Sequence, residues 1–205
     1  MQPTSHVAWY NRYLPGASQP EEDADFSFRK EHAMLNPAQF PAMSITTGGH
    51  TKDNLHQALD QAGIQCNAHA DALFDDPRFT ISPEPHAATV LFITVAELRL
   101  PKGANLPAIF AQAENSGLTL CPLELAVDLR LQWRDQGQST NHDLHRHEAP
   151  QGAVTVASPV ADPDPGQPKG YYLRNVGGQL WLRGYICDDE YIWQPADQFA
   201  FLSRK

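Results

Sequence analysis

Residues 117–136 read GLTLCPLELAVDLRLQWRDQ. A turn glycine, an apolar pair, a Cys-Pro step and a dense Leu/Val run follow one another. The segment leaves on the polar sequence Trp133-Arg134-Asp135-Gln136. Proline fits the start of a helix, where its missing N–H would be an orphan donor anyway. Pro122 therefore opens a helix over 123 to about 131. Leu123, Val127 and Leu131 make one apolar row on it, and Leu125 and Leu129 another. This block reads as a core element with polar groups at its rim, and the rest of the fold is built around it.

Upstream, residues 51–63 predict a helix. Leu55, Ala58, Leu59 and Ala62 share a face, Thr51 caps the start, and Gly63 suits a left-handed stop. A shorter helical turn over 68–74 ends before Asp76-Pro77. The β-branched run TVLFITV at 89–95 predicts a strand buried on at least one face. Asn105 opens another helix with Pro107 in its first turn, an apolar stripe of Leu106, Ile109, Phe110 and Ala113, and Gly117 beyond its end. Downstream come strand signals at 153–157, 170–176, 179–187 and 198–203. Gly177-Gly178 sits between two of them, as a tight hairpin requires. Helices with one strand, followed by a run of strands, predict an α+β fold: helices packed on a mainly antiparallel C-terminal sheet. Residues 1–43 read as a polar, aromatic-containing arm and 44–205 as one domain, with loops at 137–151 and 159–168.

The chain has 205 residues, enough for one real core, and a formal net charge of -9. An acidic surface repels phosphate backbones, which argues against non-specific nucleic-acid binding. The longest apolar stretch is far too short to cross a bilayer, so no membrane partner is expected. Three cysteines stand far apart without a CxxC pair, and the N-terminal residues lack the charged and apolar regions of a signal peptide. Both features lead to an expectation of reduced thiols and a cytoplasmic protein.

Cys121-Pro122-Leu123-Glu124, Leu129-Arg130-Leu131-Gln132 and Asp135-Gln136 resemble a family of uncharacterised bacterial proteins of about this size, sometimes loosely labelled helicase. The likeness extends through Thr47-Gly48-Gly49, Ala62-Gly63-Ile64 and Val95-Ala96-Glu97-Leu98. It returns at Leu180-Trp181-Leu182 and Trp193-Gln194-Pro195. It covers residues 45–136 and part of 170–203, and it implies a shared fold and no established activity. A Gly-x-x-x-x-Gly-Lys-Ser/Thr loop, which a motor protein would need, does not occur.

Several groups of residues could carry chemistry. His142, His145 and His147 have metal-like spacing, and zinc or nickel suits imidazole ligands; a polar loop that is merely His-rich is the plainer reading, and no cofactor is expected. Glu124, Arg130 and Arg134 could line a polar cleft in which arginine holds a carboxylate or phosphate, or they could be ion pairs at element ends. Cys121 precedes a helix, where a thiol is activated, but small buried cysteines are common there. The glycines and hydroxyls of TTGGHTK at 46–52 could cradle an anion before a helix, or simply cap it. Trp181, Tyr185, Tyr191, Trp193 and Phe199 enrich the C-terminal part in aromatics. Tyr191 and Trp193 follow the acidic turn Asp188-Asp189-Glu190, so they are expected to expose ring area and anchor a partner. These features lead to an expected non-enzymatic binding or regulatory protein whose partner is another protein. The alternative is a small enzyme using the 117–136 block or the histidines.

Overall fold

Three of the four α-helices among the described residues begin on the polar cap that the sequence offers. Thr51 Oγ1 accepts the Asn54 N–H at 3.1 Å, Asn67 Oδ1 that of Ala70 at 3.0 Å, and Asn105 Oδ1 that of Ala108 at 3.1 Å. These caps satisfy donors that have no partner inside the helix. The helices are α1 (Lys52–Gln61), α2 (Ala68–Asp75), α3 (Leu106–Asn115) and α4 (Leu123–Gln132), and α4 starts directly after Pro122 without a side-chain cap. The structure is a computed structural model that describes residues 34–139, 149–160 and 162–204.

The strands are β1 (Ala42–Thr47), β2 (Gln65–Cys66), β3 (His86–Thr94), β4 (Leu118–Thr119), β5 (Val154–Val156), β6 (Gly170–Val176), β7 (Gln179–Tyr185) and β8 (Gln198–Ser203). They form one sheet in the order β1-β3-β8-β5-β6-β7-β2, with β4 also on β8. The fold is α+β. Pairing is antiparallel except for β5 with β8 and β2 with β7, which run parallel. The sheet is therefore mixed, and it is not confined to the C-terminal part, because β1 and β3 join the far side of β8. β1 starts at Ala42, so the last two residues of the expected arm belong to the sheet. Gly177 and Gly178 both take positive φ, 60° and 88°, and close the β6–β7 hairpin as a two-residue turn.

Period-two alternation sorts the sheet into two faces. Val90, Phe92, Leu173, Leu182 and Ala200 face a core completed by α1, α2 and α4. Leu91, Ile93, Phe199 and Phe201 face a second core under α3, which also holds Leu98 and Trp193. Residues 90–93 of β3 are buried on both sides because both residue sets are apolar there. Helix α4 lies so deep that all eight residues from Leu123 to Arg130 are buried. Its last residue seals a sheet edge: Gln132 accepts the Thr46 N–H at 3.0 Å and donates to the Thr46 carbonyl at 2.8 Å. Asn67 does the same beside β7, pairing with both backbone groups of Gly184 at 2.8 and 3.0 Å. A Cβ on Gly184 would stand 2.4 Å from the His69 carbonyl carbon, so only glycine admits α2 this closely.

Candidate functional site

Glu124 and Asp128 are four residues apart and so lie on one side of α4. Burial leaves them only 3% and 2% exposed. They face two loops, residues 48–50 after β1 and residues 82–85 before β3. Glu124 Oε2 accepts the Ser82 N–H at 2.7 Å, and Asp128 Oδ2 accepts the Gly48 N–H at 3.2 Å. Gly49 N–H donates to the Ser82 carbonyl at 2.8 Å and joins the loops to each other. Gly48 has φ +86°, and a Cβ there would meet the Glu84 carbonyl oxygen at 2.7 Å. The glycines of the 46–52 motif thus serve close approach. The anion that the Gly48 amide meets is the protein's own Asp128.

Two histidines complete this corner. His50 Nε2 is 3.8 Å from Asp128 Oδ1, with its side chain 47% exposed. His86 stands at the exposed rim, with Nδ1 3.3 Å from the Glu84 carbonyl. Burial raises the pKa of both carboxyl groups. For Glu124 the Ser82 N–H opposes that rise, the Asp128 charge adds to it, and the two histidines oppose it more weakly. For Asp128 the Thr47 hydroxyl, the Gly48 N–H and the histidines oppose it. Of the groups that oppose the rise at Asp128, the buried Thr47 hydroxyl acts most strongly, through its hydrogen bond to the carboxylate. No lysine or arginine among the described residues comes within ion-pair distance of either carboxylate. Among those residues no three His, Cys, Asp or Glu side chains stand where they could hold a metal ion.

The arginines of the same block point elsewhere. Arg130 is fully buried on another side of α4, where its Nη1 donates to Gln136 Oε1 at 2.5 Å. Its Nε and Nη2 have no partner, and its guanidinium lies 5.9 Å from the Trp133 ring centroid. Burial, with Arg134 nearby, brings its pKa down to about 10. Arg134 is exposed and donates to the carbonyls of Leu131 at 2.8 Å and Ala62 at 3.2 Å, which caps the end of α1. Glu124, Arg130 and Arg134 therefore do not line one cleft, and no ion pair joins them. Helical spacing puts residues 124 and 128 on one side of α4 and residue 130 about a half-turn away, and Arg134 lies beyond the helix end at Gln132. Asp128 was legible by that spacing. His50, Thr47 and His86 are brought in by strand register, since Thr47 pairs with His86 across β1 and β3.

Cys121 sits in the first core with Sγ 3.6 Å from the Ala200 carbonyl, and burial pushes its thiol far above the usual range. That environment opposes the thiolate a nucleophile needs, and Cys121 is a packing residue. Cys66 and Cys187 are pushed up to about 11, also by burial. His142, His145 and His147 lie outside the described residues.

The C-terminal aromatics correct the sequence reading. Trp193 is only 5% exposed, and its ring meets Tyr185, Tyr191 and Phe199 edge-on at centroid distances of 5.7, 5.2 and 4.9 Å. Its backbone bridges to Ala104 in both directions. The acidic turn does not push it outward. Asp188 Oδ1 accepts the N–H groups of Glu190 and Tyr191, and the chain folds back over α3's start, where Asn105 donates to the Asp189 carbonyl. Tyr191 is half-buried. The exposed side chains are instead Ile186 at 48% and Ile192 at 47%. Alternation through 191–193 carries this signal: a buried Trp193 turns its neighbour outward.

Beside this turn runs a groove of about 430 Å³. Leu106, Pro107 and Phe110 of α3 form one wall, and Pro159, Val160 and Pro163 the other. Lys169 and Asp189 are its polar groups. The Lys169 ammonium is engaged by the carbonyls of Asp162 and Asp164. No helix among the described residues is long and apolar enough to cross a membrane. The molecule is thus an α+β protein with a buried acid–histidine corner on one side of its sheet and an apolar groove with an acidic edge on the other. Set against protein-family models, curated proteins and solved structures, the chain matches none.

Proposed function

We propose that this chain is a non-enzymatic binding protein of the bacterial cytoplasm that takes an apolar, basic segment of another protein along the α3 groove. One observation carries the reading. Of the four large apolar side chains exposed among the described residues, Val160 lines this groove, and Ile186 and Ile192 flank in sequence the acidic turn whose Asp189 lines it. Apolar surface gathered in one place and rimmed by charge is the mark of an interaction site. The rim here is acidic: Asp188, Asp189 and Glu190 are exposed, and the only lysine in the groove is already occupied by carbonyls. Such a rim favours lysine- or arginine-bearing partners and speeds their encounter. Trp193 keeps a supporting role as the buried plate on which Tyr191 rests. The alternative, a small enzyme, draws support from the carboxylate pair alone, because Arg130 and Arg134 do not join it.

A photo-crosslinking amino acid at position 192 tests the reading in cells. The expected result is a discrete protein adduct that Ile186→Asp abolishes without lowering the melting temperature. Absence of any adduct, or adducts indifferent to Ile186→Asp, would contradict it.

A further inference from the structure

The sheet has two edges, and the molecule treats them differently. At the far edge β2 covers β7, and the Asn67 side chain pairs with both backbone groups of Gly184. At the near edge β1 has a neighbour, β3, on one side only. We propose that this edge pairs with the β1 edge of a second copy of the chain, which joins two sheets across a twofold axis at Met43.

Antiparallel pairing turns the N–H and C=O groups of alternate residues toward opposite sides of a strand. The Phe92 N–H donates to the Pro41 carbonyl at 2.9 Å, so residues 41, 43, 45 and 47 are the ones that bond to β3. Residues 42, 44 and 46 turn their backbone groups away from the sheet. Thr46 is closed in both directions by the Gln132 amide. Nothing among the described residues closes Ala42 or Ser44, and both are exposed. Open edges are ordinarily blunted by lysine, by an inward-pointing charge or by a bulge. Here residues 40–49 include no charged side chain, and β1 stays in unbroken register with β3 from Ala42 to Thr47.

The limits of the edge select the partner and the register. Ala42 opposite the second copy's Ser44, with Met43 opposite its own counterpart, gives two residue pairs that each exchange two hydrogen bonds. This register uses the open residues of each chain and no others. A shift by two residues in one direction needs Thr46, which Gln132 occupies. A shift in the other direction needs the Phe40 N–H, which donates to the Pro37 carbonyl at 3.2 Å. The second copy carries the matching edge by identity. Two chains of net charge -9 meet there where neither presents a charge, so like-charge repulsion is least at this contact. Both copies use the same edge, and the far edge is sealed, so the assembly closes as a dimer and does not grow.

Sedimentation equilibrium of the full chain at physiological ionic strength tests the proposal. The expected result is a monomer–dimer equilibrium with a Kd on the order of 100 μM, as suits a small interface. Ser44→Pro removes an outward N–H that the β1–β3 ladder does not use. It should leave the melting temperature close to wild type and weaken the dimer by roughly tenfold or more. Charges at 42 and 44 read the register, and they serve if the proline variant does not fold. Ala42→Lys with Ser44→Lys sets like charges opposite each other and should weaken the dimer by roughly tenfold, whereas Ala42→Lys with Ser44→Glu should bring it back to about the wild-type Kd. Any of four results would overturn the proposal: a chain still monomeric at about 1 mM, a dimer indifferent to both Ser44→Pro and the double-lysine variant, a mixed-charge variant as weak as the double-lysine one, or a dimer lost in Ile192→Ser, which would put the contact at the groove rim.

Discussion

The corner beneath α4 and the rim around residues 186–192 break opposite rules of folding. The corner buries two neighbouring carboxyl groups with no described lysine or arginine at ion-pair distance, whereas the rim leaves isoleucines in water that a core would readily take. Neither arrangement serves stability, and a chain that is otherwise consistent tends to depart from consistency where it does something. The two departures differ in kind. The corner holds two carboxyl groups on loop amides, and the rim holds exposed apolar side chains beside acidic ones. Between them, Trp193 and Leu129 show what ordinary packing looks like in each half of the molecule.

The largest effect should come from Trp193→Ala, which empties a site closed by three aromatic rings. A loss of about 3–5 kcal/mol is expected from urea unfolding. Its fluorescence in the native state should be blue-shifted and shielded from quencher. A small loss with a quenchable indole would return Trp193 to the surface and merge the rim with the aromatic cluster. Leu129→Ala, in the other core, should cost about 2–5 kcal/mol. A midpoint unchanged within error would remove α4 as the support of the corner.

Gly48→Ala should cost about 1–3 kcal/mol, because its φ of +86° is strained for alanine and the new methyl meets the Glu84 carbonyl. It should also disturb the Ser82 amide while leaving crosslinking at position 192 intact. Loss of both would mean that the two regions are coupled. The smallest effect belongs to the rim itself. Ile192→Ser should change stability by no more than about 0.5 kcal/mol, as expected for an exposed position. A larger loss would show that Ile192 is a packing residue and weaken the binding surface.

Much of the frame was legible in the sequence because local chemistry fixes it. Thr51, Asn105 and Pro122 announced three helix starts, and Gly177-Gly178 a hairpin. Strands β1, β2 and β4 were not legible. β2 and β4 have two residues each and exist through pairing alone, and β1 alternates only weakly. Glu124, Arg130 and Arg134 are near one another in sequence but do not share one cleft. Helix geometry divides them, taking Glu124 with Asp128 and sending Arg130 to Gln136. The histidines of the corner come from residues 50 and 86, and only the β1–β3 register brings those segments together. Near the C-terminus, the acidic turn Asp188-Asp189-Glu190 predicts an exposed Trp193, and the structure buries it. Its carboxylate instead satisfies the turn's own amides, which lets the chain fold back and bury the indole.

The claim that ties these findings together is that the α4 carboxylates are held at a cost to stability. It is tested most directly by the urea midpoint of Glu124→Gln against wild type across pH. Burial raises the folded-state pKa of Glu124 above its ordinary value of 4.5. A carboxyl group shifted in that direction stabilises the fold below its unfolded pKa, and that contribution is lost as pH rises through the folded one. Above its folded-state pKa the wild-type chain therefore carries the full penalty of a buried charge, which glutamine avoids while still offering an oxygen to the Ser82 amide. The account predicts that Glu124→Gln is more stable than wild type there, by on the order of 1 kcal/mol, and that the advantage shrinks as pH falls toward 4.5. A variant less stable than wild type at the alkaline end of the series, with a deficit that closes on acidification, would show that the charged carboxylate supports the fold and would contradict the account.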